Sequence, residues 1–470
     1  MKKGLTGVLL NLIIIILSAS MLMLVFLHAA RPITNSIASK QSFDNLWITQ
    51  GYDDTALTVF DSSMCLPNSI VYKQSQSQPK AVYNDTELKK TVYSVLSNVI
   101  TDVFGAESIA NRMDGDVNSY YNHVANSDSF IFFNYTSELP YPCIYAFSTG
   151  VNAVNYESCS RSESFYISDV ALILEEVDNK LQYRCFTFDR SGNAYEFTRS
   201  DGDKYVLPDA DRAHLEAYSE KFDTVDFAVN FNKFTAQQTT LFPLEIMING
   251  FDYSELYANF AISDLELDDE TEIKELLEIF DINIEKINKY NEDDGTTVFI
   301  GTDDRLEVTS DGKLLFTNTN SPIELKEIIG FSTSKSNGYT AFDMLKSIIV
   351  INAKLKELYP GYVGGSAIPK ISSVYKDSDG RSVFEFSYYL NGVKIGLEPS
   401  IKFIFTTKGL TELTVDLTSF EQTPVRSATV PKSTVYNRLS ELSNITNISS
   451  LTPIYTNNDG TYTINWFTNN

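Results

Sequence analysis

The 470-residue chain holds 61 carboxylates but only three histidines and four cysteines, so its reactive inventory is short. His28 lies inside a long apolar run, which leaves His123 in "YYNHVANSD" and His214 in "DADRAHLEAYSE" as candidate general bases near neutral pH. His214 has Asp211, Glu216 and Glu220 nearby, but no HExxH pair accompanies it, and it reads as an exposed histidine on a helix. His123 would need a nucleophile to serve, and neither a GxSxG elbow nor a phosphate-cradling glycine loop occurs. With 61 acids, carboxylate pairs suited to glycosidase chemistry arise by composition alone and carry no information. The acidic run "DLELDDETE" lacks the Asp-x-Asp-x-Asp-Gly spacing of a calcium loop and reads as a solvated helix start favoured by the helix dipole. These residues predict no catalytic group, no cofactor and no metal site.

Cys65, Cys143, Cys159 and Cys185 all fall in the first half of the chain. Outside a membrane the even count permits disulfides. Cys143 and Cys159 bracket a loop whose closure would contribute ~3 kcal/mol; buried thiols are the alternative. Without a CxxC pair, zinc binding and thioredoxin-type redox chemistry have no support.

Where these groups sit depends on the uncharged run from Gly4 to Ala30. As a helix it would reach roughly 40 Å, more than the ~30 Å hydrocarbon core of a bilayer. Ser18, Ala19 and Ser20 resemble a small-residue cleavage signal, which would release a secreted protein. The apolar run nevertheless continues from Met21 to Leu27, and Leu27 and His28 do not suit a cut after Ala29 or Ala30. Lys2 and Lys3 precede the run and Arg31 and Lys40 follow it, a weak positive-inside bias; with a short basic N-terminus ahead of roughly 440 polar residues, residues 1–30 are predicted to be a cytoplasmic tail and uncleaved transmembrane anchor, with the bulk of the chain outside the cell membrane. A net charge of −24 disfavours nucleic acid and anionic headgroups as partners of that bulk.

Turn dipeptides between apolar runs organise the rest. Asp-Gly occurs in "MDGDV", "SDGDKYVL", "NEDDGTTVFI", "TSDGKLLF", "DSDGRSVFEF" and "NNDGTYTINW", and Asn-Gly in "YYLNGVKI". Such pairs accept the positive φ of tight hairpins. Alternation through Phe384, Phe386, Tyr388 and Leu390, then Ile401, Phe403 and Phe405, then Leu413, Val415 and Leu417, predicts a half-buried antiparallel sheet. Helices are predicted over 85–104, 272–287 and 340–359, the last with Met344, Ile348, Ile351, Leu355 and Leu358 on one face. The expected class is α+β: antiparallel meanders covered by helices, in domains 31–225, 226–325 and 326–470.

Three stretches carry a family resemblance. "TVFIGTDDRLEVTSDGKLLFTN", "FEFSYYLNGVKI" and the ending in which "PKSTVYNRLSELS" precedes "LTPIYTNNDGTYTINWF" resemble the YycH/YycI regulators of Gram-positive bacteria. The resemblance covers about residues 260–470 plus the anchor, and the size of region 31–225 suits the longer YycH-like form. It implies a single-pass extracytoplasmic protein that binds a cell-wall-sensing two-component histidine kinase, often beside a second related regulator. It also implies that the membrane helix, Leu9 to Leu27, meets the kinase's helices. Ser18, Ala19 and Ser20 then become a patch where two helices approach closely. The competing class is an anchored binding module for wall polymer or peptide, or an exported hydrolase. Its sugar-stacking rings would come from 27 Tyr and 30 Phe, most of which the alternating strands instead assign to cores.

The anchor gives the first prediction. A C-terminally tagged chain should sediment with membranes, resist carbonate extraction and retain its N-terminal peptide in mass spectrometry; mature chains beginning at Met21 in the medium would overturn it.

Overall fold

The computed structural model describes residues 62–75, 77–105, 108–141, 144–145, 166–228, 245–260, 270–318, 320–329, 341–358, 364–365, 367–441 and 450–469. The run 4–30 with Ser18, Ala19 and Ser20, and the pair Cys143 and Cys159, lie outside the described residues. Among the described residues no helix is long and apolar enough to cross a membrane.

Turns shape the sheets. The glycines of the seven Asp-Gly and Asn-Gly pairs named above, from Gly115 to Gly460, all have positive φ, whereas Gly250 of Asn249-Gly250 does not. In Asn391-Gly392 and Asp459-Gly460 both residues do, giving two-residue hairpins that pair Leu390 with Val393 and Asn458 with Thr461. Gly295, Gly312 and Gly380 close longer turns; Gly380 N donates to Asp377 O and Asp377 N to Arg381 O, both at 3.0 Å. Asp178 and Asn179, which carry no glycine signal, form one further turn with φ of 51° and 60°.

One antiparallel sheet runs edge to edge through Ser108–Arg112, Ala194–Arg199, Lys180–Phe188, Tyr166–Val177, Phe130–Pro140, Ser69–Lys73, Lys80–Val82 and Asp223–Thr224, with Tyr205–Leu207 paired to Lys180–Phe188. Helices cover both of its faces. Helix α1, Thr86–Phe104, starts where the Asp85 side chain accepts from Leu88 N at 2.9 Å. Its Val92, Leu96, Val99 and Val103 share a core with Tyr72, Ile131, Phe133, Leu172 and Cys185. Helix α2, Val117–Asn126, packs Val117, Tyr121 and Val124 on the alternate residues Val71, Phe130, Phe132, Ile173 and Phe186. This double burial explains why "SFIFFNYT" is apolar throughout rather than alternating. Helix α3, Asp209–Ser219, adds Leu215 to the α1 side.

The second sheet has fourteen strands among the described residues. Its meander Asn288–Asn291, Thr297–Ile300, Arg305–Val308 and Lys313–Thr317 continues through Gly409–Asp416, Ile401–Thr406 and Ser382–Leu390. It then passes through Val393–Ile395, Ser450–Asn458, Thr461–Asn469, Asp252–Phe260, Thr418–Ala428 and Gly364–Gly365, while Ile368–Lys376 pairs with Ser382–Leu390. The sheet therefore runs through position 325, because Lys313–Thr317 pairs with Gly409–Asp416. Helices α4 (Glu270–Ile279), α5 (Leu325–Ile329) and α6 (Ala341–Leu358) contribute to the core over Phe299, Phe316, Phe386, Phe403 and Leu413, and α7, Lys432–Glu441, precedes the final hairpin. The opposite face is wetter and carries ion pairs, among them Arg381 with Asp377 at 2.7 Å and Lys402 with Glu385 at 3.7 Å.

Two helices differ from expectation. The helix expected to reach 287 ends at Ile279, because Asp281 turns to φ 54° and Ile282 N donates back to Leu277 O at 3.0 Å. Helix α6 was expected to bury one stripe, but Asp343, Ser347 and Ile349 off that stripe are buried as well.

Gly409 is required by close approach. Leu410 and Ile323 exchange two backbone hydrogen bonds of 2.9 Å, and a Cβ on Gly409 would lie 1.9 Å from Ile323 O. Gly409→Ala should therefore lower stability by ~2 kcal/mol or more, read as a reduced urea midpoint at unchanged m; an unaltered midpoint would contradict the packing at this bridge.

Candidate functional site

The most unusual chemistry among the described residues lies where the two sheets meet. In the hairpin that turns at Asn391-Gly392, residues 384, 386, 388 and 390 enter the core, while Ser387 and Tyr389 face the other way beside Lys370 of the neighbouring strand. The tip touches the start of α1. A Cβ on Gly392 would sit 2.1 Å from Tyr83 O and 2.7 Å from Lys89 Nζ, so glycine is needed here for contact as well as for its φ of 82°.

Lys89 stands in the first turn of α1, where the positive end of the helix dipole disfavours a cation. It is 1% exposed, and Nζ donates to Asn68 O and Tyr83 O, each at 2.9 Å. Lys370, 4% exposed, reaches the same asparagine from the second sheet: its Nζ donates to Asn68 Oδ1 at 3.2 Å and lies 4.8 Å from the centroid of the Tyr389 ring. Asn68 N in turn donates to Asn134 O at 2.7 Å, fixing the asparagine to the first sheet. Opposite Lys370, the buried Ser387 hydroxyl has no partner among the described residues. Neither lysine makes an ion pair among the described residues.

Both amines lose basicity. Burial pushes Lys89 well below the ordinary lysine value, the Lys370 charge pushes it further, and Asp85 only partly offsets them. Burial pushes Lys370 down to about 7, with the Cys65 thiol opposing. Two ammonium charges around one asparagine repel each other in a medium that screens them poorly, so their protonation is a joint property. A neutral amine is a nucleophile, but with these exposures no reactant reaches either nitrogen. The arrangement can hold the two sheets together and change its charge.

The sequence-singled residues lie elsewhere. His123 is exposed on α2 with its ring edge-on to Phe186 at 6.2 Å, and His214 is exposed on α3. Neither ring makes a hydrogen bond among the described residues. Cys65 and Cys185 are buried thiols, and burial pushes the Cys185 thiol up. No group of three or more His, Cys, Asp or Glu among the described residues could hold a metal ion. A second buried polar centre ties α2 to the first sheet: the Asp169 carboxylate accepts from Tyr121 OH at 3.0 Å, Asn134 Nδ2 at 2.7 Å and Ser168 Oγ at 2.9 Å. Burial raises its pKa above the ordinary carboxylate value, and the three donors offset only part of that rise.

Sequence reasoning missed Lys89, Lys370 and Asp169. One signal was present for Lys89, since the buried row 92, 96, 99 and 103 of α1 extends back one turn to position 89.

Asn68 is the common acceptor, which gives a direct test. Asn68→Ala removes Oδ1 and leaves the Lys370 amine without that partner, at a cost of about 1–3 kcal/mol measurable by urea unfolding. A variant as stable as the parent would show that the shared asparagine contributes nothing to the joint.

No family model and no curated protein matches the sequence of this chain. Its structure is similar to the crystal structure of YycH from Bacillus subtilis, at a TM-score of 0.50 and 9% identity over 84% of this chain and 91% of that one. The chain thus has a YycH-like α+β fold.

Proposed function

We propose that the chain is a membrane-anchored extracytoplasmic regulator that binds a cell-wall-sensing histidine kinase of a Gram-positive two-component system and adjusts its activity without catalysing a reaction. The observation that carries this is the YycH-like fold, shared over 84% of the chain. The sequence resemblance over 260–470 and the uncharged run from Gly4 to Ala30 support the same role. In it, the anchor places the folded bulk outside the cell membrane, and a second related regulator binds alongside.

The contact with the kinase is assigned in part to the membrane helix. Inside a bilayer, helices associate through close packing and polar pairing with no net hydrophobic drive, so the identity of a helix face matters. Ser18, Ala19 and Ser20 are small enough to let two backbones approach.

Two measurements test the role. Crosslinking in native membranes should capture a histidine kinase with the tagged chain, and its absence from the adducts would overturn the regulator. Replacing residues 4–30 with an unrelated spanning helix should preserve export and folding but disturb a reporter of the kinase's target promoters. Ser18→Leu with Ser20→Leu should reproduce part of that effect. A wild-type reporter response from the swapped-helix chain, at matched abundance, would move the contact entirely to the exterior.

A further inference from the structure

We propose that the joint of Lys89, Asn68 and Lys370 makes the docking of the Asn391-Gly392 hairpin onto α1 respond to external pH, tightening as the two buried amines lose protons and loosening as they regain them. The device stands whether or not the chain controls a kinase.

Geometry supplies the coupling. Lys89 belongs to the element that covers the first sheet, Lys370 to a strand of the second, and both nitrogens bond to one residue, Asn68. Charge placed on either amine therefore acts on the contact between the two sheets. Gly392 leaves no space for relaxation at the hairpin tip, since even a Cβ would collide with Tyr83 O. The titratable groups that face the joint are few. Asp85 on α1 is the carboxylate acting on Lys89, the Cys65 thiol of the Ser62–Cys65 turn acts on Lys370, and the Tyr389 ring lies under Lys370. Asp85 already accepts from Leu88 N as the helix cap, so it is held at the helix start and forms no ion pair with Lys89 among the described residues.

The sign follows from proton binding. In a loosened joint the amines meet water and keep protons up to the ordinary lysine value of 10.5, whereas in the closed joint Lys370 keeps its proton only up to about 7 and burial holds Lys89 well below 10.5. Between about pH 7 and 10.5 the loosened form therefore binds more protons, and closure strengthens as pH rises through that window. Each lysine contributes up to about tenfold in the opening equilibrium per pH unit. Below about 7, Lys370 is protonated in both forms and adds nothing further.

Hydrogen exchange of the full chain in lipid nanodiscs at several pH values from 6 to 9, corrected for the intrinsic pH dependence of exchange, reads this opening directly. Peptides spanning 83–93 and 384–396 should exchange faster as pH falls from 9 to 7, while peptides from the distant meander 297–317 stay constant. In Lys370→Met the slope at the joint should fall by up to tenfold per pH unit, and Lys370→Arg, charged throughout, should hold the joint loosened at every pH. A flat corrected profile in the unmodified chain, which needs no variant to fold, would overturn the proposal. So would an unchanged slope in a folded Lys370→Met.

Discussion

A buried amine must find acceptors for its N–H groups, and much of the structure's assembly follows from how Lys89 does so. Its two carbonyl partners, Asn68 O and Tyr83 O, come from backbone just before the strand Ser69–Lys73 and just after its partner Lys80–Val82, which fixes the start of α1 against the first sheet. With those carbonyls committed, the space above them admits backbone and nothing larger, and Gly392 fills it. The second sheet thereby gains a fixed point of attachment through a turn whose own geometry also demands glycine. Apolar packing joins the halves too, since residues of both sheets share one core. Hydrophobic contact is non-directional, however, and tolerates sliding, whereas two amines directed at one asparagine define a single register.

The sheets solve different burial problems. The first is covered on both faces, so its central strands are apolar at consecutive positions, as in Phe130 to Phe133. The second is covered chiefly on one, and its strands alternate Phe384, Phe386 and Tyr388 with the part-exposed Glu385. Polar groups at its wetter face pair among themselves: Arg381 bridges Asp377 and Glu412, and Tyr375 donates to Glu385 at 3.0 Å. Exposed pairs of this kind stabilise little individually. Their consequence is negative, in that they keep the face from burying against another apolar surface.

Sequence alone made the turns and the alternating strands legible, because both are local. The seven Asp-Gly and Asn-Gly pairs between apolar runs each have a glycine at positive φ, since the constraint is a property of one residue's backbone. The start of α1 was legible for the same reason, through Asp85. What escaped was non-local: the strand Asp252–Phe260 pairs with Thr418–Ala428, more than about 150 residues further along the chain, and no periodicity announces a partner so distant. The joint escaped on similar grounds. A lysine near a helix start reads as solvated unless the surface covering it is known, and here that surface is a hairpin tip some three hundred residues away.

The likeness to YycH at 9% identity has a physical basis in this division. A fold of meanders and covering helices is specified by pattern: which positions alternate, where turns permit positive φ, which faces are apolar. Many sequences satisfy one pattern, so a shared fold survives when few residues are shared. A pair of buried lysines converging on an asparagine belongs to no such pattern; it depends on three side chains and one absent Cβ. The proposed regulator role thus rests on the architecture the chain shares with another protein, and the proposed pH response on particular side chains. Because the two proposals rest on separate physical causes, variants of the joint test the response while leaving the sheets' pattern of burial intact, and residues 4–30 can be exchanged without altering any residue of the joint.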